Sequence, residues 1–349
     1  MRNNDNYPDF LVGVRCMTYN HHAYIEDAMN GFTMQQTTFP FVCVIIDDAS
    51  TDGEPDVILR YMNDHFDLAP ESGARQWETD EARFLYARHR QNPNCYFGIV
   101  LLKTNYYSQH KSKEHLMTQW LSDVKYIALC EGDDYWTDPN KLQIQTEFLE
   151  NHPDYSMCWH DGVIISASDG NIIGNHRRYL KDTVCKVEEI IQGGGAFIPS
   201  ASILYNREIK NNIPQELFNQ VVGDYPLQLS MALSGKVYYM DKEMSVYRIG
   251  GQGSWTSTIY QNHEKKRMLL KGEFKIYNDF DSFSQYKYHE SFQRCKISYL
   301  YEYYWSVGNY SKARKFLYKL GLKRVLGTSL RRILYLHGYA HIRKFIPMK

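Results

Sequence analysis

The sequence predicts an open α/β sheet with Rossmann-like winding, and three observations point there. Short apolar runs alternate with stretches of helical spacing from residue 10 to residue 130. The run FVCVII (41–46) is apolar throughout, as expected for a strand covered on both faces. Acidic clusters follow two of these runs, DDASTDG (47–53) and EGDDYW (131–136). Ligands of open α/β sheets sit beyond the carboxyl ends of the strands, where both clusters lie.

In chain order, FLVGVRC (10–16) reads as a buried strand. A turn then leads into a helix with Ile25, Ala28, Met29 and Phe32 at helical spacing. FVCVII is the second strand, and the turn and cap residues of DDASTDGEP precede a helix over VILRYMNDHF. Residues 68–95 are polar and irregular and read as an inserted loop or helix. CYFGIVLLK (95–103) is a third strand, EHLMTQWLSDV (114–124) a helix and KYIALC (125–130) a fourth strand. Beyond 155, SMCWHDGVIIS, FIPSASILYN and KVYYMDKEMSVYRI read as strands. DYPLQLSMALSG (224–235) reads as a helix, with Pro226 in its first turn and Gly235 past its end. From about 262 the pattern is helical. The expected organisation is a catalytic domain over 1–256 and a helical, basic region over 257–349.

Composition narrows the function classes. The chain has 349 residues, 43% hydrophobic and 23% charged, with 40 basic and 40 acidic residues. These values exclude wholesale disorder and leave no polyanion-binding signature, so no nucleic-acid partner is expected. The charge is segregated: residues 301–349 hold 11 Lys and Arg against one acid, Glu302. That basic, aromatic tail fits either an amphipathic helix on an anionic membrane surface or a helical cap with solvated lysines. Seven scattered cysteines without a CxxC pair suggest neither a zinc knuckle nor a disulfide framework. MRNNDNYPDF lacks the apolar core of a secretory signal, and no stretch of ~18 apolar residues occurs. The expected location is cytoplasmic, and under the first of the two readings of the tail it is peripheral to the inner face of the membrane.

Four places carry candidate chemistry. After the second strand, Ser50 and Asp52 suit a helix N-cap, whereas the adjacent Asp48 has no capping task and suits a nucleobase or ribose contact. Glu131, Asp133 and Asp134 read either as a solvated acidic turn before a helix or, since they repel one another unless a cation is near, as hard oxygens for Mg²⁺ or Mn²⁺ carrying a diphosphate. Asp224 reads either as an N-cap or as a general base taking a proton from an attacking hydroxyl. Tyr247 and Arg248 precede the glycine-rich Gly250-Gly-Gln-Gly253-Ser-Trp255, which could close over a diphosphate. A dehydrogenase is disfavoured, since no GxGxxG follows the first strand.

Taken in order, Thr18-Tyr19-Asn20, IIDDASTDG, EGDDYW with DPNKLQ, FIPSASILYN and GDYPL…YRIGGQGSW resemble the bacterial family 2 glycosyltransferases, of GT-A fold. The resemblance covers roughly residues 10–256. It implies an inverting, metal-dependent transfer of a sugar from a nucleotide-sugar, a UDP-sugar above all, to a hydroxyl of a glycan or lipid-linked acceptor in surface polysaccharide biosynthesis. Under it, Thr18, Tyr19, Asn20 and Asp48 hold the nucleoside, and Asp133 and Asp134 fall on the metal and ribose motif. Asp224 falls on the catalytic base, and Tyr247 and Arg248 on the donor-covering segment. Where many relatives read DxDD this chain has Glu131-Gly-Asp133-Asp134, which leaves Mn²⁺ or Mg²⁺ to the last two acids. Where many carry a His two places after the Arg, this chain has Gly250. The competing reading is an inactive nucleotide-sugar-binding or scaffold protein of the same fold.

Overall fold

β1 (Val12–Thr18) and β2 (Phe41–Asp47) lie parallel at the centre of the sheet, Val12 opposite Phe41 and Thr18 opposite Asp47. All seven residues of β2 are buried, which explains its unbroken apolar run. The computed structural model describes residues 7–218, 220, 223–251 and 263–321. β6 (Cys95–Leu102) pairs parallel with β2, and β7 (Tyr126–Leu129) parallel with β1 on its other side. The chain therefore builds outward from β1 through β2 to β6, then returns to the far side of β1. That reversal between β1 and β7 is the topological switch point at which open α/β sheets form their ligand crevice.

Three helices lie between these strands, α1 (Ile25–Thr33), α2 (Glu54–His65) and α3 (Glu114–Leu121), and α4 (Lys141–Asn151) follows them. α1 buries Ile25, Ala28, Met29 and Phe32, the face predicted from spacing. Its Gly31 lies so close to β8 (Tyr135–Trp136) that a Cβ there would come within 2.8 Å of the Trp136 backbone nitrogen. Burial of each of the larger of these side chains, Ile25, Met29 and Phe32, contributes about 1.5–3 kcal/mol.

Residues 68–95 are not a loop or helix. After β3 (Phe66–Asp67) they form a 3₁₀ turn at Pro70–Ser72, then β4 (Arg75–Glu78) and β5 (Ala82–His89). β5 runs antiparallel to both β4 and β6. Its buried stretch Phe84–Ala87 breaks the alternation by which a strand is recognised, and its polar ends disguise the rest.

The remaining strands are β9 (Tyr155–Ser166), β10 (Ile172–Asn175), β11 (Thr183–Val184), β12 (Leu204–Asn206) and β13 (Lys236–Ile249). The sheet order is β11-β13-β9-β12-β7-β1-β2-β6-β5-β3, with β10, β4 and β8 pairing beside it. FIPSASILYN gives only the short β12, after a 3₁₀ turn at Ser200–Ser202. α5 (Val187–Gly193), α6 (Arg207–Asn211) and α7 (Asp224–Ser234) complete this part, α7 over the predicted range.

The chain divides into two units. The first takes residues 1–185, 196–213 and 231–254, and the second 186–195, 214–230 and 255–349. In the second unit, helices run over His263–Phe283, His289–Ser306 and Tyr310–Lys319. Tyr301, Ala313 and Leu317 are buried there, with Tyr304, Trp305 and Phe316 packed against them. All seven cysteines are buried and unbridged, small apolar side chains as expected. Among the described residues no helix is long and apolar enough to cross a membrane.

Candidate active site

The site grows from the carboxyl ends of β1, β2 and β7 in the first unit. β1 ends at Thr18, and the backbone N–H of Asp48, just past β2, donates to the Thr18 carbonyl at 3.0 Å. Past β7, the Gly132 N–H donates to the Met17 carbonyl at 3.0 Å. A Cβ on Gly132 would lie 2.1 Å from Thr18 Oγ1, so only glycine lets the acidic turn approach the first loop.

The first two loops are stitched together through Glu54, the first residue of α2, whose side chain is fully buried. Its carboxylate accepts from the Thr18 hydroxyl, from the His21 N–H at 2.8 Å and from the Ser50 hydroxyl at 2.9 Å. Asn20 sits at φ 57°, a left-handed conformation Asn tolerates. Its N–H donates to Ser50 Oγ, and its side-chain oxygen accepts from the Thr51 N–H. Ser50 therefore bridges the two loops instead of capping α2. The residue before that helix is Gly53, with no side-chain cap bond. Asp52 does accept from the Glu54 N–H at 3.0 Å and ties His22 as well.

The acidic turn supplies the charge. Glu131, Asp133 and Asp134 each bring a carboxylate oxygen within 4.8 Å of the other two. Asp134 is fully buried. Its Oδ1 accepts from the Arg248 N–H at 3.0 Å, while Oδ2 has no hydrogen-bond partner. Burial, followed by the charge of Asp133, holds its pKa well above the carboxylate range. His21 Nε2 stands 3.8 Å from Asp133 Oδ2. An orphaned buried oxygen among like charges fits a hard divalent cation, and the three residues would hold it. The expected ligands Asp133 and Asp134 are thus together, and Glu131 joins them.

Two residues expected at the donor are held by protein partners. Asp48 is buried, and its carboxylate accepts from the Tyr106 and Tyr107 N–H groups at 2.7 and 3.0 Å and pairs with Lys113 at 2.7 Å. It anchors the loop after β6 and keeps only residual acceptor capacity. Arg248, with only 8% of its side chain exposed, donates to the Asp133 carbonyl at 2.6 Å and to the Asp27 carboxylate. Its guanidinium lies 4.8 Å from the Tyr24 ring centre and 4.7 Å from that of Tyr135. It clamps the acidic turn.

Tyr19 is 44% exposed beside Asn20, and Tyr247 is half-buried with its ring 5.3 Å from that of His176. Asp224, exposed at the start of α7, belongs to the second unit. Gly250 lies at φ 87°, while Gly253, Trp255 and the basic tail from residue 322 fall outside the described residues.

No known family profile matches the chain. A stretch of 251 residues is 31% identical to an uncharacterised protein of Mycobacterium tuberculosis, covering 70% of this chain and 61% of that relative's length. An uncharacterised glycosyltransferase of Nostoc sp. is 22% identical over 265 residues, 75% of this chain and 71% of that protein. Among solved structures, a mannosyltransferase of Pyrobaculum calidifontis in complex with GDP-mannose and Mn²⁺ superposes with a TM-score of 0.51 at 13% identity, over 99% of this chain and 85% of that one. The fold is GT-A. At that identity the likeness concerns the fold alone.

Sequence reasoning missed Glu54, His21, Asp27 and Lys113. Glu54 is misleading in the sequence: Thr51-Asp-Gly-Glu54 has capping-box spacing, yet the helix begins at Glu54 and the Thr51 N–H bonds Asn20. Nothing in the linear order ties Asp27 to Arg248 or Lys113 to Asp48.

Proposed function

We propose that the chain is an inverting, metal-dependent glycosyltransferase that moves a sugar from a nucleotide-sugar, a UDP-sugar above all, to a hydroxyl acceptor. The observation that carries this reading is the acidic trio at the switch point, with Asp134 Oδ2 buried and unpartnered. Glu131, Asp133 and Asp134 would hold Mn²⁺ or Mg²⁺, which when bound supplies charge neutralisation to a departing diphosphate. The Thr18–Asn20 loop, fixed through Glu54, and the Asp48-anchored loop flank the place where the nucleoside would lie. Tyr247 would contribute to donor binding directly, and Arg248 by holding the acidic turn. The resemblance assigns Asp224 the role of general base, accepting the acceptor hydroxyl proton as that oxygen attacks the anomeric carbon in line, with inversion. General-base action is worth about 10²–10⁴ in rate.

The Nostoc relative is named a glycosyltransferase, and the Pyrobaculum enzyme binds GDP-mannose with Mn²⁺, which supports a nucleotide-sugar donor. The acceptor we propose is a glycan or lipid-linked glycan of surface polysaccharide biosynthesis. The basic C-terminal region would bring the enzyme to an anionic inner leaflet. Nucleotide release measured over a panel of UDP- and GDP-sugars, with and without chelator, tests the reading. The expected result is release from one donor, abolished by chelator and restored by Mn²⁺ or Mg²⁺, with Asp224→Asn binding donor but not transferring. Full activity in chelator would remove the metal, and transfer by Asp224→Asn would remove the base.

A further inference from the structure

A second concavity lies in the first unit, beside β4. It is a groove of about 770 Å³ lined by Tyr7, Arg75, Gln76, Trp77, Pro70 and Gln119, among others. None of its lining residues belongs to the acidic cleft. Tyr7 and Trp77 of its lining belong to an aromatic layer set by strand register. Arg75 of β4 faces Tyr86 of β5, and Trp77 faces Phe84. The Trp77 and Phe84 rings stack with an interplanar angle of 1° and centres 5.0 Å apart. Tyr7 packs edge-on to Tyr86 at 4.6 Å, and the Arg75 guanidinium sits 4.9 Å from the Tyr7 ring centre. Trp77 is braced further by Trp120 of α3 at 5.9 Å.

The lining combines a rigid aromatic platform with two carboxamides and one guanidinium, and it contains no carboxylate. A hexose matches that set. Its C–H face packs on an aromatic ring, while its hydroxyls both donate to and accept from planar amide groups.

We propose that this groove is a carbohydrate-binding site, separate from the acidic cleft, that takes a neutral hexose unit of a glycan chain on Trp77, with Gln119 and Arg75 bonding its hydroxyls. It stands independently of the transferase reading, since binding here needs neither nucleotide nor metal. In that reading it would hold an acceptor chain at a distance from its reacting end.

Saturation-transfer NMR on the full chain with maltotriose, chitotriose and mannotriose tests the assignment. The expected result is transfer to at least one trisaccharide, persisting with saturating UDP. Trp77→Ala should raise its Kd at least tenfold, and Trp77→Phe should retain most of the affinity. Trp77→Ala also removes a stacking partner of Phe84, so Gln119→Ala, an exposed change on α3, serves as the second variant and should weaken binding severalfold at unchanged melting temperature. Transfer to none of the three, or affinity unchanged in both Trp77→Ala and Gln119→Ala, overturns the proposal. Abolition of the signal by UDP would move the sugar to the acidic cleft and overturn it equally.

Discussion

Asp47 and Glu54 are both buried carboxylates at the mouth of the cleft, and their surroundings treat them differently. Asp47 receives one N–H, from Ser50, on Oδ2, while Oδ1 has no partner. Burial pushes its pKa up to about 6, against the Ser50 hydrogen bond, which lowers it. A carboxyl whose folded pKa is raised stabilises the protein fully below its unfolded pKa near 4. That contribution is lost as the pH climbs through 6. Asp47→Asn removes the penalty while leaving an oxygen for the Ser50 N–H. It should stabilise the chain at pH 8 by up to roughly 3 kcal/mol and by nothing at pH 4, read from urea unfolding at the two pH values. Glu54 has the opposite environment, with three donors directed at it. Glu54→Gln must turn an NH₂ group toward those donors. It should cost about 1–3 kcal/mol and lower the melting temperature, with nucleotide affinity falling as the two loops separate. A melting temperature equal to that of the parent chain would deny Glu54 its stitching role.

At the scale of elements, the decisive joint is between the end of β13 and the acidic turn. Arg248 contributes a backbone N–H to Asp134, two side-chain hydrogen bonds to the turn and to α1, and a face to each of two tyrosines. Arg248→Lys preserves the charge but loses the planar fork. It should weaken Mn²⁺ binding about tenfold with the circular dichroism spectrum unchanged, and equal Mn²⁺ affinity would reduce Arg248 to a packing residue. The sequence showed the strands that bracket this joint because each is a plain signal: an apolar run over β2, and acids just past β2 and β7. It did not show the joint itself, since Asp27, Asp133 and Arg248 are 221 residues apart end to end. β4 and β5 escaped for another reason: the buried run Phe84–Ala87, set between polar ends, masks the alternation. Asp48 was legible as special, but its main-chain partners at Tyr106 and Tyr107 were not, because they carry no side-chain signature.

Over the whole molecule, the central parallel strands and their switch point account for where the acids gather, and the GT-A likeness agrees with that placement. The second unit carries Asp224 and the C-terminal helices, and the basic excess of residues 301–349 lies wholly within it. The account as a whole depends on whether the trio at the switch point takes up a cation together with a nucleotide. Calorimetric titration of UDP and GDP into the full chain, with Mn²⁺ and with chelator, measures this directly. The account predicts binding of at least one nucleotide that needs Mn²⁺ and falls at least tenfold in both Asp133→Asn and Asp134→Asn. Equal affinity in chelator, or undiminished affinity in both variants, would contradict it.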